Sequence, residues 1–454
     1  MNLRIFLCTL LLSLFAVKLS DTAGGTQMKE IQEGLKFAEI IADAMKPIEF
    51  VGFLGSAATK AISFVSATLK FLSLIFSHIG NSESQELLAI KRMYNEMNRR
   101  FDLVDNRLND ISLQINWTRV SNQYSRIERH ITAIDMLLRN IYEKPLALRE
   151  NGKQDFIHTM ENTCMICATE LYNGIMGVNK GFSDDILQAA METSKNDRPT
   201  MQTFMLGLFK LLIQGITNEL AYQKFVHGET ACIIYRKQWK VRLFNITTKM
   251  QKINEEIKSK YHEQAEKDIA LFSLKYPRKN VPNQLFSENL YQFLVRKYDW
   301  RDWLLVVYRP ISGVKNHINH ICEGYRRYGM YGRDVLVASV DQAKDAINTT
   351  TADEIISRIT TTYMTCVQVC TSASNGYGAY VHCISGNYCS ECSTHNRDVQ
   401  GVYITIPGET RDCRVYASVG VIDSWVDLWY HGLPERLVHK RTPGSNSYSI
   451  HLFG

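Results

Sequence analysis

Positions 56, 59, 63, 66, 70, 73 and 77 carry Ser56, Thr59, Ser63, Ser66, Lys70, Ser73 and Ser77. The steps are of three and four residues, so on a helix of 3.6 residues per turn they share one narrow stripe. Everything around the stripe is Phe, Leu, Ile, Val and Ala, apart from Lys60 at its margin and Thr68 on the far side. These proportions invert those of an amphipathic surface helix. The predicted helix, about Gly52 to His78, suits either a buried bundle centre, with its hydroxyls bonded back to the preceding turn, or a bilayer. In a bilayer the stripe would line a water-filled path or meet other helices, and Lys60 and Lys70 restrict insertion to a conditional event.

The neighbouring patterns are also helical. Residues 28–45 predict a first helix that stops at Pro47. Ile90, Tyr94, Met97, Phe101, Val104, Leu108, Ile111 and Ile115 then step by four and three without a slip, forming a coiled-coil-like seam. The phase shifts near Asn116-Trp117, and Val120, Tyr124, Ile127, Ile131, Ile134, Leu138 and Ile141 continue in a second register up to Pro145. No Gly or Pro interrupts Ser84–Lys144, which predicts one bent helix of about 60 residues and about 90 Å rather than two antiparallel helices. Helical patterns run on to about 297, among them "TFMLGLFKLLIQGITNEL" (Thr203–Leu220), apolar almost all round except for Lys210. From "KYDWRDWLLVVYRP" (Lys297–Pro310) the texture becomes β-like, and short alternating runs separated by Gly, Asn and Ser follow Tyr363. The expected fold is α+β, a helical bundle over 25–297 and a cysteine-rich, mainly β module over 298–454.

The first residues change the compartment expected. Uncharged from Ile5 to Val17, the N-terminus is too short to span a bilayer and reads as a secretory signal, residues 1–24, cleaved between Ala16 and Gly24. Of the 11 cysteines, Cys8 leaves with it. The remainder, Cys164, Cys167, Cys232, Cys322, Cys366, Cys370, Cys383, Cys389, Cys392 and Cys413, read as disulfide partners of undetermined connectivity. Asn116, Asn245 and Asn348 stand in N-x-[ST] sequons, as glycosylation candidates. A net charge of +6 without a Lys/Arg-rich run gives no nucleic-acid patch, and is compatible with weak attraction to anionic lipid.

No catalytic constellation emerges. The chain lacks G-x-S-x-G, H-E-x-x-H, a P-loop and a dinucleotide fingerprint. The pairs Cys164/Cys167 and Cys389/Cys392 have C-x-x-C spacing that invites a zinc or redox reading, yet neither has a second pair at ligand spacing, and export favours oxidation. His317 and His320 stand at H-x-x-H spacing, weighed against solvated loop histidines. Asp299 and Asp302 beside Arg301 are conceivable as an acid/base pair, weighed against salt-bridging. Trp425, Trp429, Tyr430 and His431 fit a sugar or membrane interface, weighed against the core of the last β hairpins. The chain is expected to be no enzyme, with no catalytic residue, cofactor or metal.

The order of these segments resembles a known superfamily. "EFVGFLGSAATKAISFVSATLKFLSLIFS" followed by "ESQELLAIKRMYNEMNRRFDLVDNRLNDISLQI" is similar to the superfamily joining jellyfish pore-forming toxins, cephalotoxin and the rapunzel-like proteins, and "YDWRDWLLVVYRPISGVKNH" resembles the rapunzel-like branch. The resemblance spans about residues 30–330 and has no counterpart for the C-terminal cysteine region. It implies a helical domain similar to the pore-forming domain of three-domain insecticidal toxins, with cytolytic activity in the venom members; the rapunzel-like members are not venom components, so membership by itself does not imply lysis. Two expectations follow. One is a secreted α-helical pore former or cytolysin, whose partner is a target-cell membrane or surface receptor and which can form a homo-oligomer. The other is a secreted structural or interaction protein without lytic activity.

Overall fold

The computed structural model describes residues 25–46, 49–77, 85–112, 118–178, 185–310, 317–366, 399–405, 413, 416–423, 426–442 and 447–454. The expected signal peptide, Asn116 and Trp425, and Cys370, Cys383, Cys389 and Cys392 lie outside the described residues. Two compact units divide the chain, Met1–Lys260 and Tyr261–Gly454. The division falls before the 297 suggested by texture, because the two helices that follow Lys260 belong with the β-sheets rather than with the bundle.

The first unit comprises α1 (Gly25–Ala44), α2 (Phe50–Ser77), α3 (Gln85–Ser112), α4 (Thr118–Glu143), α5 (Arg149–Thr163), α6 (Cys167–Met176), α7 (Ile186–Thr193) and α8 (Arg198–Ser259). Both heptad seams are buried as the spacing requires. Tyr94, Met97, Phe101 and Val104 of α3, and Tyr124, Ile131, Ile134, Leu138 and Ile141 of α4, face the core. The single long helix expected over 84–144 is not formed. Arg139 lies 6.0 Å from the Tyr94 ring centre, while Glu128 shares the neighbourhood of Asp105 and Lys210, so α3 and α4 run in opposite directions. A 90 Å helix would overhang the core, whereas folding back lets both seams cover the same stretch of α8.

That stretch is the true centre of the bundle. Asp197 caps α8, accepting from the Thr200 N–H at 3.0 Å, and Pro199 stands in its first turn. From Met201 to Tyr222 nearly every side chain is buried, Met205, Phe209, Leu212, Ile213, Ile216 and Leu220 among them. Such burial stabilises by roughly 2 kcal/mol per large apolar side chain. At Gly228 the helix reverses, with φ 81° and ψ −175°. Pairings on either side prove the hairpin: Arg198 Nε donates to Asn254 Oδ1 at 3.0 Å, and Trp239 Nε1 to Glu219 Oε2 at 3.1 Å. The helix with the serine stripe, α2, for which the sequence allowed a buried bundle centre or a bilayer, lies beside this hairpin with one face open to solvent. Phe53 and Phe64 of α2 join Phe37 of α1, Tyr94 of α3 and Phe209 of α8 in one aromatic cluster.

In the second unit, α9 (Tyr261–Lys275) and α10 (Asn283–Lys297) precede two antiparallel four-stranded sheets. The first has the order β3 (Gly324–Met330), β4 (Arg333–Asp341), β1 (Arg301–Tyr308), β8 (Trp429–Gly432); the second β2 (His317–Ile321), β7 (Ser418–Asp423), β10 (Tyr448–Phe453), β9 (Leu437–Arg441). A further pair joins β5 (Thr360–Cys366) to β6 (Val399–Thr405). Leu304, Val306, Leu336 and Ala338 of the first sheet pack on Ile422 and Phe453 of the second. On the other face of the second sheet, Val419, Val421, Ile450 and Leu452 meet Ala352, Ile355 and Ile356 of α11 (Thr349–Ser357). This alternation along β10 turns His451 toward the first sheet, where it is fully buried between Ser418 Oγ at 3.1 Å and Tyr430 Oη at 3.4 Å. The ring needs Gly420 beneath it: a Cβ there would stand 2.2 Å from His451 Cε1.

Two measurements test these features. Gly228→Ala meets no steric obstacle but forces a side chain into a conformation that only glycine tolerates, so thermal melts should show a loss of about 1–3 kcal/mol. Burial holds His451 down from 6.5 to about 3. The unfolded chain therefore binds this proton first, and stability of the sheets is full above pH 6.5 and lost as pH falls toward 3. Hydrogen exchange of the β7 and β10 amides should accelerate between pH 6.5 and 5 beyond the intrinsic trend, and His451→Asn should flatten the dependence.

Candidate functional site

The stripe divides along α2. Thr59 is exposed, Ser56 and Ser63 are half-buried, and the backbone at Gly52 and Gly55 is open. Ser63 Oγ donates to the Thr59 carbonyl at 3.3 Å, and Thr68 Oγ1 to that of Phe64 at 3.0 Å, as expected of hydroxyls on an apolar helix. Ser66 is buried and accepts from Arg236 Nη1 at 3.3 Å. Lys70 is half-buried; the side chains of Ser73 and Ser77 are outside the described residues. The opposite flank, Phe53, Leu54, Ala57, Ala61, Phe64 and Val65, is fully buried. Among the described residues one helical stretch, Phe50–Lys70, is long and apolar enough to cross a membrane by length and composition, with 56% of its most apolar window buried.

The hairpin tip holds the second half of α2. Lys224 Nζ donates to the Leu69 carbonyl at 3.2 Å, and Phe225 packs edge-on against Phe76 and Phe156. Deeper in the bundle, the apolar arm of α8 carries polar groups, of which the sequence pattern singled out only Lys210. Lys210 is paired with Asp105. Gln214 Nε2 donates to Asp135 Oδ2 at 2.9 Å, and Arg139 is bonded to the same oxygen. Loss of water raises Asp135 above the usual carboxylate range against the pull of Arg139, and raises Glu128 against Lys210. Glu219 is pushed up to about 7 by burial, which outweighs the hydrogen bond from Trp239 and the charge of Arg242. Of these acids only Glu219 lies on the apolar arm; Asp135 and Glu128 belong to α4. A period-based reading cannot find them, since one Glu per helix is ordinary; only the partner helices reveal the burial.

The other expected residues serve the fold. Cys164 is bonded to Cys167 and Cys322 to Cys413, whereas Cys232 is a free, buried thiol, against the expectation that it would pair. Burial raises its pKa and leaves it unreactive. Cys366 lies in β5. Asn348 caps α11, accepting from the Thr350 and Thr351 N–H groups, and Asn245 is half-buried on α8. Asp302 is buried and accepts from Arg436 Nε at 2.6 Å, while Arg301 turns to Ser339 and Glu323, so the acid/base arrangement gives way to structural ion pairs. His317 and His320 stand on β2, where positions three apart alternate in face, and His320 meets Tyr416 Oη at 3.1 Å. Trp429 donates to Asp427 at 3.0 Å, Tyr430 is packed against His439 and His451, and His431 bonds Ser287 at 2.9 Å, all within the sheet core and its edge.

Residues 80–277 match the family model described as the cephalotoxin-like middle helical domain. The protein rapunzel of Danio rerio is 25% identical over 213 residues, which cover 46% of this chain and 90% of that protein. No solved structure matches the chain.

Glu219 supplies a direct test of the buried arm. The unfolded chain releases this proton above 4.5 and the folded chain holds it to about 7, so stability is full below 4.5 and falls as pH rises toward 7. The expected loss is on the order of 3 kcal/mol. Glu219→Gln, which keeps an acceptor for Trp239, should raise the melting temperature at pH 8 and remove most of this slope.

Proposed function

Because the chain carries the helical domain of the cephalotoxin/rapunzel-like family, we propose that it is a secreted, toxin-like membrane-acting protein, an α-helical pore former rather than an enzyme. The observation that carries the reading is Phe50–Lys70, a span-length apolar helix lying on the bundle with its polar stripe partly outward. In this reading α2 leaves α1 and the α8 hairpin, its apolar flank turns to lipid, and the serine stripe faces water or another copy of the helix. The β unit holds the chain to a target-cell surface or receptor outside the cell. One specific observation favours a second reading. More than half of the same window is already buried, as in a permanent core helix, which suits an extracellular structural or interaction protein without lytic activity.

Dye release from phosphatidylcholine/phosphatidylserine vesicles by the mature chain, with and without a protein receptor source, separates the two. Thr59→Asp should leave the melting temperature nearly unchanged, because Thr59 is exposed in the bundle. Thr59 lies on the stripe that faces the water path, so a carboxylate there should leave release in place and shift it toward cationic over anionic dyes. No release by folded wild type on receptor-bearing membranes would support the interaction protein.

A further inference from the structure

The Cys164–Cys167 disulfide closes a sequence separation of only three residues and sits between the end of α5 and the start of α6. Cys164 is half-exposed, whereas Cys167 is buried. Cys167 opens α6, whose N-cap, Ile166, offers no side-chain acceptor to the first-turn N–H groups. A ring nitrogen of His130 and both sulfurs lie within 4.8 Å of one another. Behind them is a small cavity of about 10 Å³ lined by Cys164, Cys167, Asn218 and Glu219. Asn218 is 2% exposed and its Oδ1 has no hydrogen-bond partner, which leaves an acceptor facing a cavity with a sulfur in its wall. In front, Met165 and Ile166 between the cysteines are 47% and 56% exposed, an apolar platform where a partner chain can rest.

We propose that Cys164–Cys167 is an exchange disulfide that accepts two electrons from a dithiol partner, with Cys164 as the attacked sulfur and Cys167 as the leaving one. A partner thiolate attacks Cys164 Sγ; the new S–S bond forms as the Cys164–Cys167 bond breaks, and its electron pair stays on Cys167. That thiolate is stabilised by the first-turn N–H groups of α6, with a His130 ring nitrogen within 4.8 Å of both sulfurs, and lower basicity makes it the better leaving group. The second thiolate of the partner then attacks its own sulfur in the mixed disulfide and releases Cys164 as a thiolate. The partner leaves as a disulfide, having lost two electrons and two protons; the chain gains both, as the thiols of Cys164 and Cys167. Glu219 stands in the same cavity, and its acidity near neutral pH fits a group that passes a proton to Cys167. The partnerless Asn218 oxygen is there to receive the resulting S–H.

Glutathione redox buffers, followed by alkylation and peptide mass spectrometry of the native full chain, test this without any variant. Cys164–Cys167 should reach half-reduction in a buffer that leaves Cys322–Cys413 oxidised. Cys167→Ser should accumulate a glutathione adduct on Cys164, whereas Cys164→Ser should form none on Cys167. Glu219→Gln should slow reduction by dithiothreitol about tenfold at pH 7 without changing the site attacked. Resistance of Cys164–Cys167 to reduction until the chain is unfolded overturns the proposal. So does stoichiometric zinc uptake by the reduced chain that blocks re-oxidation by oxidised glutathione, which would make the cluster a metal site.

Discussion

The bundle depends on covering one arm of α8. From Met201 to Tyr222 that arm is apolar on nearly every side, and no amphipathic partition can satisfy it on a surface. Its own second arm, returned by Gly228, covers one side; α2, α3 and α4 bring apolar faces to the others. The polar groups on the arm then set the register. Lys210 finds Asp105, Gln214 finds Asp135, Asn218 reaches the Ile131 carbonyl at 3.2 Å, and Glu219 takes the Trp239 indole. A slip of one turn would strand several buried polar groups, each at about 1–3 kcal/mol, so these contacts select one packing among many apolar ones.

The second unit solves a different problem, joining two sheets and the helices on their outer faces. Strand β10 presents Ile450 and Leu452 to α11 and Phe453 to the opposing sheet. Buried ion pairs tie the periphery: Lys297 Nζ and Tyr298 Oη both donate to Asp268 Oδ2, at 2.5 and 2.7 Å. Arg333, fully buried over the Phe286 ring, binds the Asn283 side chain and the carbonyls of Tyr276 and Val281. Arg and Lys in these roles brace loops and helix ends, which is why charged residues near Trp300 and Trp303 resemble chemistry in the sequence and prove architectural.

What was legible in the sequence was what periodicity encodes. Among the described residues, the two heptad registers, the helix that carries the serine stripe, the apolar run of α8 and the β run that begins after Lys297 correspond to elements found. Two things were not legible. The reversal between α3 and α4 carries no Gly or Pro, and only a phase shift at Asn116-Trp117 marked it; the decision to fold back comes from the length of the arm both helices must cover. The ranking of α2 and α8 was also hidden, because both are apolar and burial is decided by which one the amphipathic helices reach. Glu219, His451 and Asn218 escaped for a related reason: their character comes from neighbours more than a dozen residues away.

The described disulfides are unevenly distributed between the units. Cys322–Cys413 spans a sequence separation of 91 and links β2 to the stretch leading into β7, so it restricts the denatured chain over much of the second unit. Cys164–Cys167, with its separation of three, ties α5 to the adjoining α6 and fastens no distant pair of helices. Among the described residues, then, no disulfide holds α1 or α2 in the bundle. Oxidation that locks the sheets leaves these helices topologically free: the first unit can exchange one helix arrangement for another without breaking a covalent bond, while the second remains tethered.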